Sequence, residues 1–246
     1  MQNYNLELCL SPALYKYHEN KDSIVVVIDV LRATSSICAA FANGAHSIIP
    51  VEGEAEALDY KKRGFVVAAE RDGFVLDFAD FGNSPFNFAP ELVNGKTIVY
   101  STTNGTKVMK MASSSYMVTI GSYLNISALS KFLVEQRKDV LLLCAAWKNK
   151  INIEDTLCAG AFAEKLLTGN KFVTNCDSVK IAIDLWGQAK GDILGYIEKS
   201  AQRSRLRIKG LDDCIELCHT LDITGTIPVL AEGKIVDIST VNLLTI

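Results

Sequence analysis

Ile24-Val25-Val26-Val27-Ile28-Asp29-Val30-Leu31-Arg32-Ala33-Thr34-Ser35-Ser36 passes without a break from a β-branched run to a carboxylate, an arginine and three hydroxyls. Five consecutive β-branched residues read as a buried strand, and Arg32 to Asn43, closed by Gly44, reads as a helix. Strand, loop and helix in this order are the repeating unit of an α/β fold. In an open α/β sheet the polar residues that end such strands converge at the carboxyl edge, where ligands bind.

Outward from this stretch the unit recurs. His46 to Val51 is a short apolar run, Glu54 to Lys62 a polar-faced helix ended by Gly64, and Phe65 to Ala69 a strand that delivers Glu70 and Arg71. Residues 72–96, with Gly73, Gly82, Asn83, Pro85, Pro90 and Gly95, predict a loop-rich excursion holding a short helix near Pro90 to Val93. Loops of that length tend to be functional. Strands are expected at Thr97 to Ser101, Tyr116 to Ile120 and Val140 to Ala145, and helices near Lys107 to Ala112, Ile126 to Gln136 and Thr156 to Leu167. In the last helix Leu157, Gly160, Ala161, Ala163 and Leu167 form a small-residue packing face. From Ser178 to about Arg207 the pattern is helical and amphipathic, with breaks at Gly187, Gly191 and Gly195, and its apolar faces suit a homodimer or the core. Ile227 to Leu230 with Lys234 to Ile238 predict a closing hairpin. With no linker or low-complexity tract, a single α/β domain over residues 1–246 is expected.

The composition, 49% hydrophobic and 22% charged, describes a soluble chain with an ample core. A formal net charge of −3, with basic residues scattered, argues against nucleic acid or an anionic membrane as partner. No apolar stretch approaches the roughly 20 residues that span a bilayer, and the polar start is no signal peptide, so a cytoplasmic location is expected. Seven cysteines in a reducing compartment read as free, mostly buried thiols.

Two loops carry chemistry. Arg32, Thr34 and Ser35 place a guanidinium and hydroxyls at a helix start, which is how proteins hold phosphate or sulfonate, and equally how a helix is capped. Thr102-Thr103-Asn104-Gly105-Thr106 repeats the device, with Asn104-Gly105 read as a turn of positive φ. Two such loops on one sheet edge favour an anion site. Asp29, Glu70, Asp80, Glu154 and Asp155 finish apolar runs beside these loops and suit Mg²⁺, which takes one or two carboxylates and bridges to substrate oxygens. Glu154 and Asp155 also suit the first turn of a helix as charges.

Absences narrow the mechanism. No cysteine carries the C-x₅-R spacing of thiol phosphatases, Asp29 lacks the second aspartate of a D-x-D nucleophile, and no Arg-His-Gly occurs. His18, His46 and His219 lie outside the clusters, and Cys214, Cys218 and His219 lack the second ligand pair of a zinc site.

Asp29-Val30-Leu31-Arg32-Ala33-Thr34-Ser35, Gly82-Asn83-Ser84-Pro85, Thr102-Thr103-Asn104-Gly105-Thr106, Gly121-Ser122 with Asn125, and Glu154-Asp155 before Cys158-Ala159-Gly160 resemble, in order and spacing, the 2-phosphosulfolactate phosphatases, also called ComB. The resemblance runs from about residue 24 to 165, with weaker support at Ile227-Pro228-Val229. It implies a three-layer α/β/α fold with a mostly parallel or mixed sheet. It also implies a phosphoric monoester hydrolase, dependent on Mg²⁺, that converts 2-phospho-3-sulfolactate to sulfolactate and phosphate, a step of coenzyme M biosynthesis. Two positions depart from the family pattern: Ala69 and Ala146 stand where glycine is expected. A methyl there would narrow a site approached by backbone.

On this reading Asp29, with Glu154 or Asp155 and also Glu70 and Asp80, holds Mg²⁺. Arg32, Thr34, Ser35, Asn83, Ser84 and the 102–106 loop bind a small anionic phosphomonoester, and Arg71, Lys107 or Lys148 meets its other acid groups. A phosphatase or phosphotransferase acting on another small phosphorylated acid, and a non-catalytic module that binds an anionic metabolite, are the alternatives.

Overall fold

The computed structural model of the chain describes residues 3–102 and 105–241. Eleven strands form one sheet: β1 Tyr4–Cys9, β2 Ile24–Ile28, β3 Ser47–Pro50, β4 Val66–Arg71, β5 Phe74–Val75, β6 Thr97–Ser101, β7 Met117–Gly121, β8 Val140–Cys144, β9 Phe172–Val173, β10 Pro228–Ala231 and β11 Lys234–Asp237. The helices are α1 Ala33–Ala42, α2 Glu54–Lys62, α3 Pro90–Val93, α4 Gly105–Met111, α5 Ile126–Gln136, α6 Ile153–Thr168, α7 Asp177–Ala189, α8 Ile193–Ile197, α9 Ala201–Ile208 and α10 Ile215–Cys218. No described helix is long and apolar enough to cross a membrane.

The strand order is β5-β4-β6-β3-β11-β10-β7-β2-β8-β1-β9. Two parallel blocks, β4-β6-β3 and β7-β2-β8-β1-β9, flank the predicted β10–β11 hairpin. The hairpin is antiparallel within itself and to both neighbours, so the blocks run in opposite directions. In a flat sheet the carboxyl ends of β2 and β4 would therefore lie on opposite edges. Yet Asp29, after β2, and Glu70, near the end of β4, line the same cleft. The sheet folds back at the hairpin, whose junctions register through Val229 with Thr119 and Ile235 with Ile48.

Side-chain alternation explains what fills the fold. All side chains of β2 and β8 are buried, each worth roughly 1.5–3 kcal/mol, which places these strands inside the sheet. Ile24, Val26 and Ile28 face a core shared with α5, α6 and α7, whereas Val25 and Val27 face a second core. That second core also receives Ile48 of β3 and Ile98 and Tyr100 of β6, and it encloses α1 and α4 between the two blocks. The far face of the β3-β6-β4 block packs Val51, Val67, Ala69 and Val99 against Ala57 of α2. Each block is thus covered by helices on both faces, giving the expected three-layer α/β/α arrangement.

Three local features differ from the sequence reading. β1 and β9 extend the sheet beyond β8, where Leu6 and Leu8 alternate inward. The excursion after β4 begins as a hairpin, because Asp72 (φ 51°) and Gly73 (φ 93°) make a two-residue turn into β5. The helical stretch after residue 177 divides into α7, α8 and α9, and only α7 packs along α6. Gly160 of the small-residue face permits this: a Cβ there would sit 2.1 Å from the Ala182 carbonyl oxygen.

Candidate active site

The loop from Asp29 to Arg32 is fixed from all sides. The Asp29 amide donates to Thr34 Oγ1 (3.0 Å) and the Thr34 amide returns a bond to the Asp29 carbonyl (2.9 Å). Ser35 Oγ donates to the Val30 carbonyl (2.9 Å), and Ser36 Oγ donates to the Asn83 carbonyl (3.0 Å). The hydroxyls of Thr34 and Ser35, expected to meet phosphate, are thus turned inward to hold the loop, and neither residue is exposed. Arg32, at the start of α1, and Asp29 line the cleft.

Asp29 is electrostatically strained. Burial, reinforced by Glu70 and Glu154 and opposed by the Ala33 amide and Arg32, raises its pKa to about 7. The start of α4 presses against it from another side. A Cβ on Gly105 would lie 3.2 Å from Asp29 Oδ2 and 2.7 Å from the Ala33 methyl, so glycine is required here for close approach. Thr102 lines the cleft, and its Oγ1 is buried without a hydrogen-bond partner. Thr106 points back into α4, donating to the Thr102 carbonyl (3.3 Å). Thr103 and Asn104, also expected at the site, lie outside the described residues.

Glu154 and Asp155, adjacent in the first turn of α6, have separate jobs. Asp155 accepts from the Val30 amide (2.9 Å), the Ala146 amide (3.2 Å) and Asn152 Nδ2 (3.4 Å), clamping the Asp29 loop to the end of β8. Both carboxylate oxygens of Glu154, 1% exposed, lack a partner. Burial raises its pKa, and the nearby Ser200 hydroxyl and Arg205 guanidinium only moderate the rise. Asp155 is therefore a positioning residue, and Glu154 keeps the uncommitted oxygens.

Other expected residues are distributed unequally. Glu70 lines the cleft and accepts from the Gly73 amide (2.6 Å), which ties it to the β4–β5 turn. Asn83 lines the cleft with its Oδ1 bonded to the Tyr100 hydroxyl, while Ser84 is buried behind it and opens the turn over Pro85–Asn87. Asp80 is not part of the site. Lys61 Nζ (2.5 Å) and the Val67 amide (2.8 Å) hold its carboxylate, and against the opposing effect of burial they keep its pKa below the usual range. Arg71 is likewise directed away, donating to the carbonyls of Glu70 (2.6 Å) and Glu52 (2.8 Å) and to Ser101 Oγ (3.0 Å), and pairing with Glu54 (3.3 Å). It straps β4 to β6 and to the start of α2.

One wall of the cleft escaped the sequence reading. Gln202, Arg205, Leu206 and Lys209 line it from α9 and the residue after it. Their i, i+3, i+4, i+7 spacing is a helix face, and that polar stripe within an amphipathic run was the available signal. Trp147 and Ala146 complete this wall. Ala146, where the family pattern has glycine, sits at φ 59°, so the departure puts a methyl into a left-handed backbone. The Ala69 methyl, by contrast, packs into the core under α2 and does not narrow the cleft.

The donor set suits Mg²⁺. Glu154 carries unpartnered carboxylate oxygens, Asp29 is held at a raised pKa, and the Thr102 hydroxyl is unsatisfied: all are hard oxygen donors whose burial a cation would relieve. Among the described residues no three His, Cys, Asp or Glu side chains converge on one metal position. The protein would thus contribute one or two carboxylates, leaving the other positions to water and substrate, the usual pattern for Mg²⁺. The seven thiols are free, and His219 Nδ1 donates to the Ile215 carbonyl (2.7 Å), consistent with packing around Cys214 and Cys218.

Comparison with known proteins places this cleft in context. Residues 9–233 match the family model described as 2-phosphosulpholactate phosphatase. The chain is 36% identical over 217 residues to a probable 2-phosphosulfolactate phosphatase of Caldanaerobacter subterraneus subsp. tengcongensis, covering 87% of this chain and 90% of the relative. A probable 2-phosphosulfolactate phosphatase of Thermotoga maritima is 36% identical over 208 residues (85% and 89% covered). One from Clostridium acetobutylicum is 31% identical over 233 residues (94% and 99% covered).

Proposed function

The chain belongs to the 2-phosphosulfolactate phosphatase family, and we propose on that basis that it hydrolyses 2-phospho-3-sulfolactate to 3-sulfolactate and phosphate, the reaction of coenzyme M biosynthesis. The observation that carries this reading is Asp29: a buried carboxyl with its pKa raised to about 7, sharing one cleft with the Arg32 guanidinium and the unpartnered Thr102 hydroxyl. That combination suits an anionic ester better than a neutral one.

In this mechanism Arg32 and the Thr102 hydroxyl orient the phosphoryl oxygens, and the Asp29 loop, pinned by Thr34, Ser35 and Asp155, holds its geometry through the reaction. Asp29 and Glu154 would hold Mg²⁺. The ion would neutralise charge on the phosphoryl oxygens as the ester bond breaks. Arg32, 5% exposed, is already desolvated and needs little reorganisation to stabilise the same charge.

Phosphate release from 2-phospho-3-sulfolactate and from simple phosphomonoesters, with Mg²⁺ and with a chelator, tests the reading. Metal-dependent release that favours phosphosulfolactate is expected. Release from other esters alone would discard the substrate, and release from none would discard hydrolysis. Acid quench during turnover then separates the two routes: attack by a carboxylate leaves a hydroxylamine-labile phosphoenzyme, and direct attack by water leaves none.

A further inference from the structure

The α9 wall adds a further cationic group to the cleft, Arg205, whose charge also acts on Glu154. Arg205 lines the cleft with its Nη2 buried and without a hydrogen-bond partner. Its Nε donates to Gln202 Oε1 (2.8 Å), and its guanidinium lies 4.9 Å from the centre of the Trp147 ring. An arginine held at one edge and against an aromatic face presents its remaining edge in a fixed direction. A desolvated donor left unpaired is unfavourable unless something that binds there accepts from it. Partial burial works against the charge, and Glu154 nearby only partly offsets it.

Lys209 lines the same cleft. Its ammonium lies 4.9 Å from the Phe74 ring centre and donates to the Asp72 carbonyl. An ammonium has three donors, and this bond uses one. Gln202 joins the wall to the reacting side, because its Nε2 donates to the Leu31 carbonyl (3.1 Å), next to Arg32. Arg203, bonded to Glu198 (3.0 Å) and Asp212 (2.6 Å), anchors α9 from its other face.

We propose that Arg205, with Lys209 beside it and Trp147 as its platform, is the subsite for a second strong-acid oxyanion on the substrate. This subsite selects a small phosphorylated acid over a simple phosphomonoester. Its substrate class rests on the hydrolase reading above, while the anion subsite itself can be measured without turnover. Arg71, Lys107 and Lys148 are not needed for this role: Arg71 is engaged elsewhere, and Lys148 pairs with Asp72 (3.6 Å).

Two measurements decide it. In kinetics, the ratio of kcat/KM for phosphosulfolactate to that for a simple phosphomonoester should fall at least tenfold in Arg205→Gln and recover in part in Arg205→Lys. Arg207→Gln, whose side chain pairs with Glu198 on the exposed side of α9, should keep the wild-type ratio. An unchanged ratio in a folded Arg205→Gln would overturn the proposal. In calorimetry, 3-sulfolactate, which carries two acid groups and no phosphate, should bind the wild-type protein more tightly than lactate and bind Arg205→Gln at least tenfold more weakly than wild type. Equal affinity in both proteins would overturn the subsite. Failure of the wild-type protein to cleave any ester would overturn hydrolysis alone, because the calorimetry still judges the subsite.

Discussion

At the residue scale the molecule turns on one carboxyl. The folded protein holds the Asp29 proton up to about pH 7, whereas the unfolded chain releases it near the ordinary aspartate value of 3.8. The native state therefore binds more protons across that window, and the stability contributed by this group falls as pH rises through it. Asp29→Asn removes the effect, so in metal-free protein its Tm should exceed that of wild type by a margin that widens from pH 4 to pH 8, which calorimetry would read; a constant margin would refute the raised pKa. Ala146 offers a smaller test. Glycine at φ 59° relieves the left-handed strain, and Ala146→Gly should stabilise by about 1 kcal/mol in urea denaturation. Asp29 and Arg32, expected at the site, do line the cleft, and Asp29 was marked in the sequence by the apolar run that it ends. Thr34 and Ser35 turn to partners only five residues back, Asp29 and Val30, whereas Asp80 and Arg71 are drawn off by partners up to 30 residues away: Lys61 and Val67 for Asp80, Glu52 and Ser101 for Arg71. Hydrogen-bond capture at that range leaves no mark in local sequence.

At the scale of elements, the β2 and β8 strands and most helices could be read from periodicity, since each buries an obvious apolar face. α9 could be read as a helix but not as a wall of the site. A helix face of Gln202, Arg205 and Lys209 looks solvated until the fold shows what it faces. Gly105 was read as a turn residue, yet it lies within α4, where the absence of a side chain lets the helix approach Asp29. Gly160 shows the same physics in the core. Gly160→Ala would drive a methyl into the Ala182 carbonyl and push α7 from α6. It should cost about 1–3 kcal/mol and lower the Tm by roughly 2–10 °C, with phosphate release at low temperature largely retained. Wild-type thermal stability in that variant would show that α6 and α7 separate freely.

At the scale of the whole molecule, the α/β class and the three layers follow from alternating strands and helices, but the bend does not. Nothing local distinguishes a hairpin that closes a sheet from one that reverses two parallel blocks and folds them around α1 and α4. That reversal brings the carboxyl ends of β2, β4, β6 and β8 to one cleft, and α9 closes it with the cations that the strands do not provide. The assembled cleft is acidic at its base and cationic at its walls. Such an arrangement suits a phosphorylated acid met by arginines, with Asp29 and Glu154 proposed to hold the cation.

We propose that this cleft cleaves a phosphomonoester through Asp29. Phosphate release from 2-phospho-3-sulfolactate by wild type and by Asp29→Asn, at matched pH and Mg²⁺ and with both proteins shown to be folded, tests it most directly. Release by wild type and a loss of at least about 1,000-fold in the variant are expected, the scale of removing a group that acts at the reacting centre. A folded Asp29→Asn that releases phosphate at the wild-type rate would contradict it.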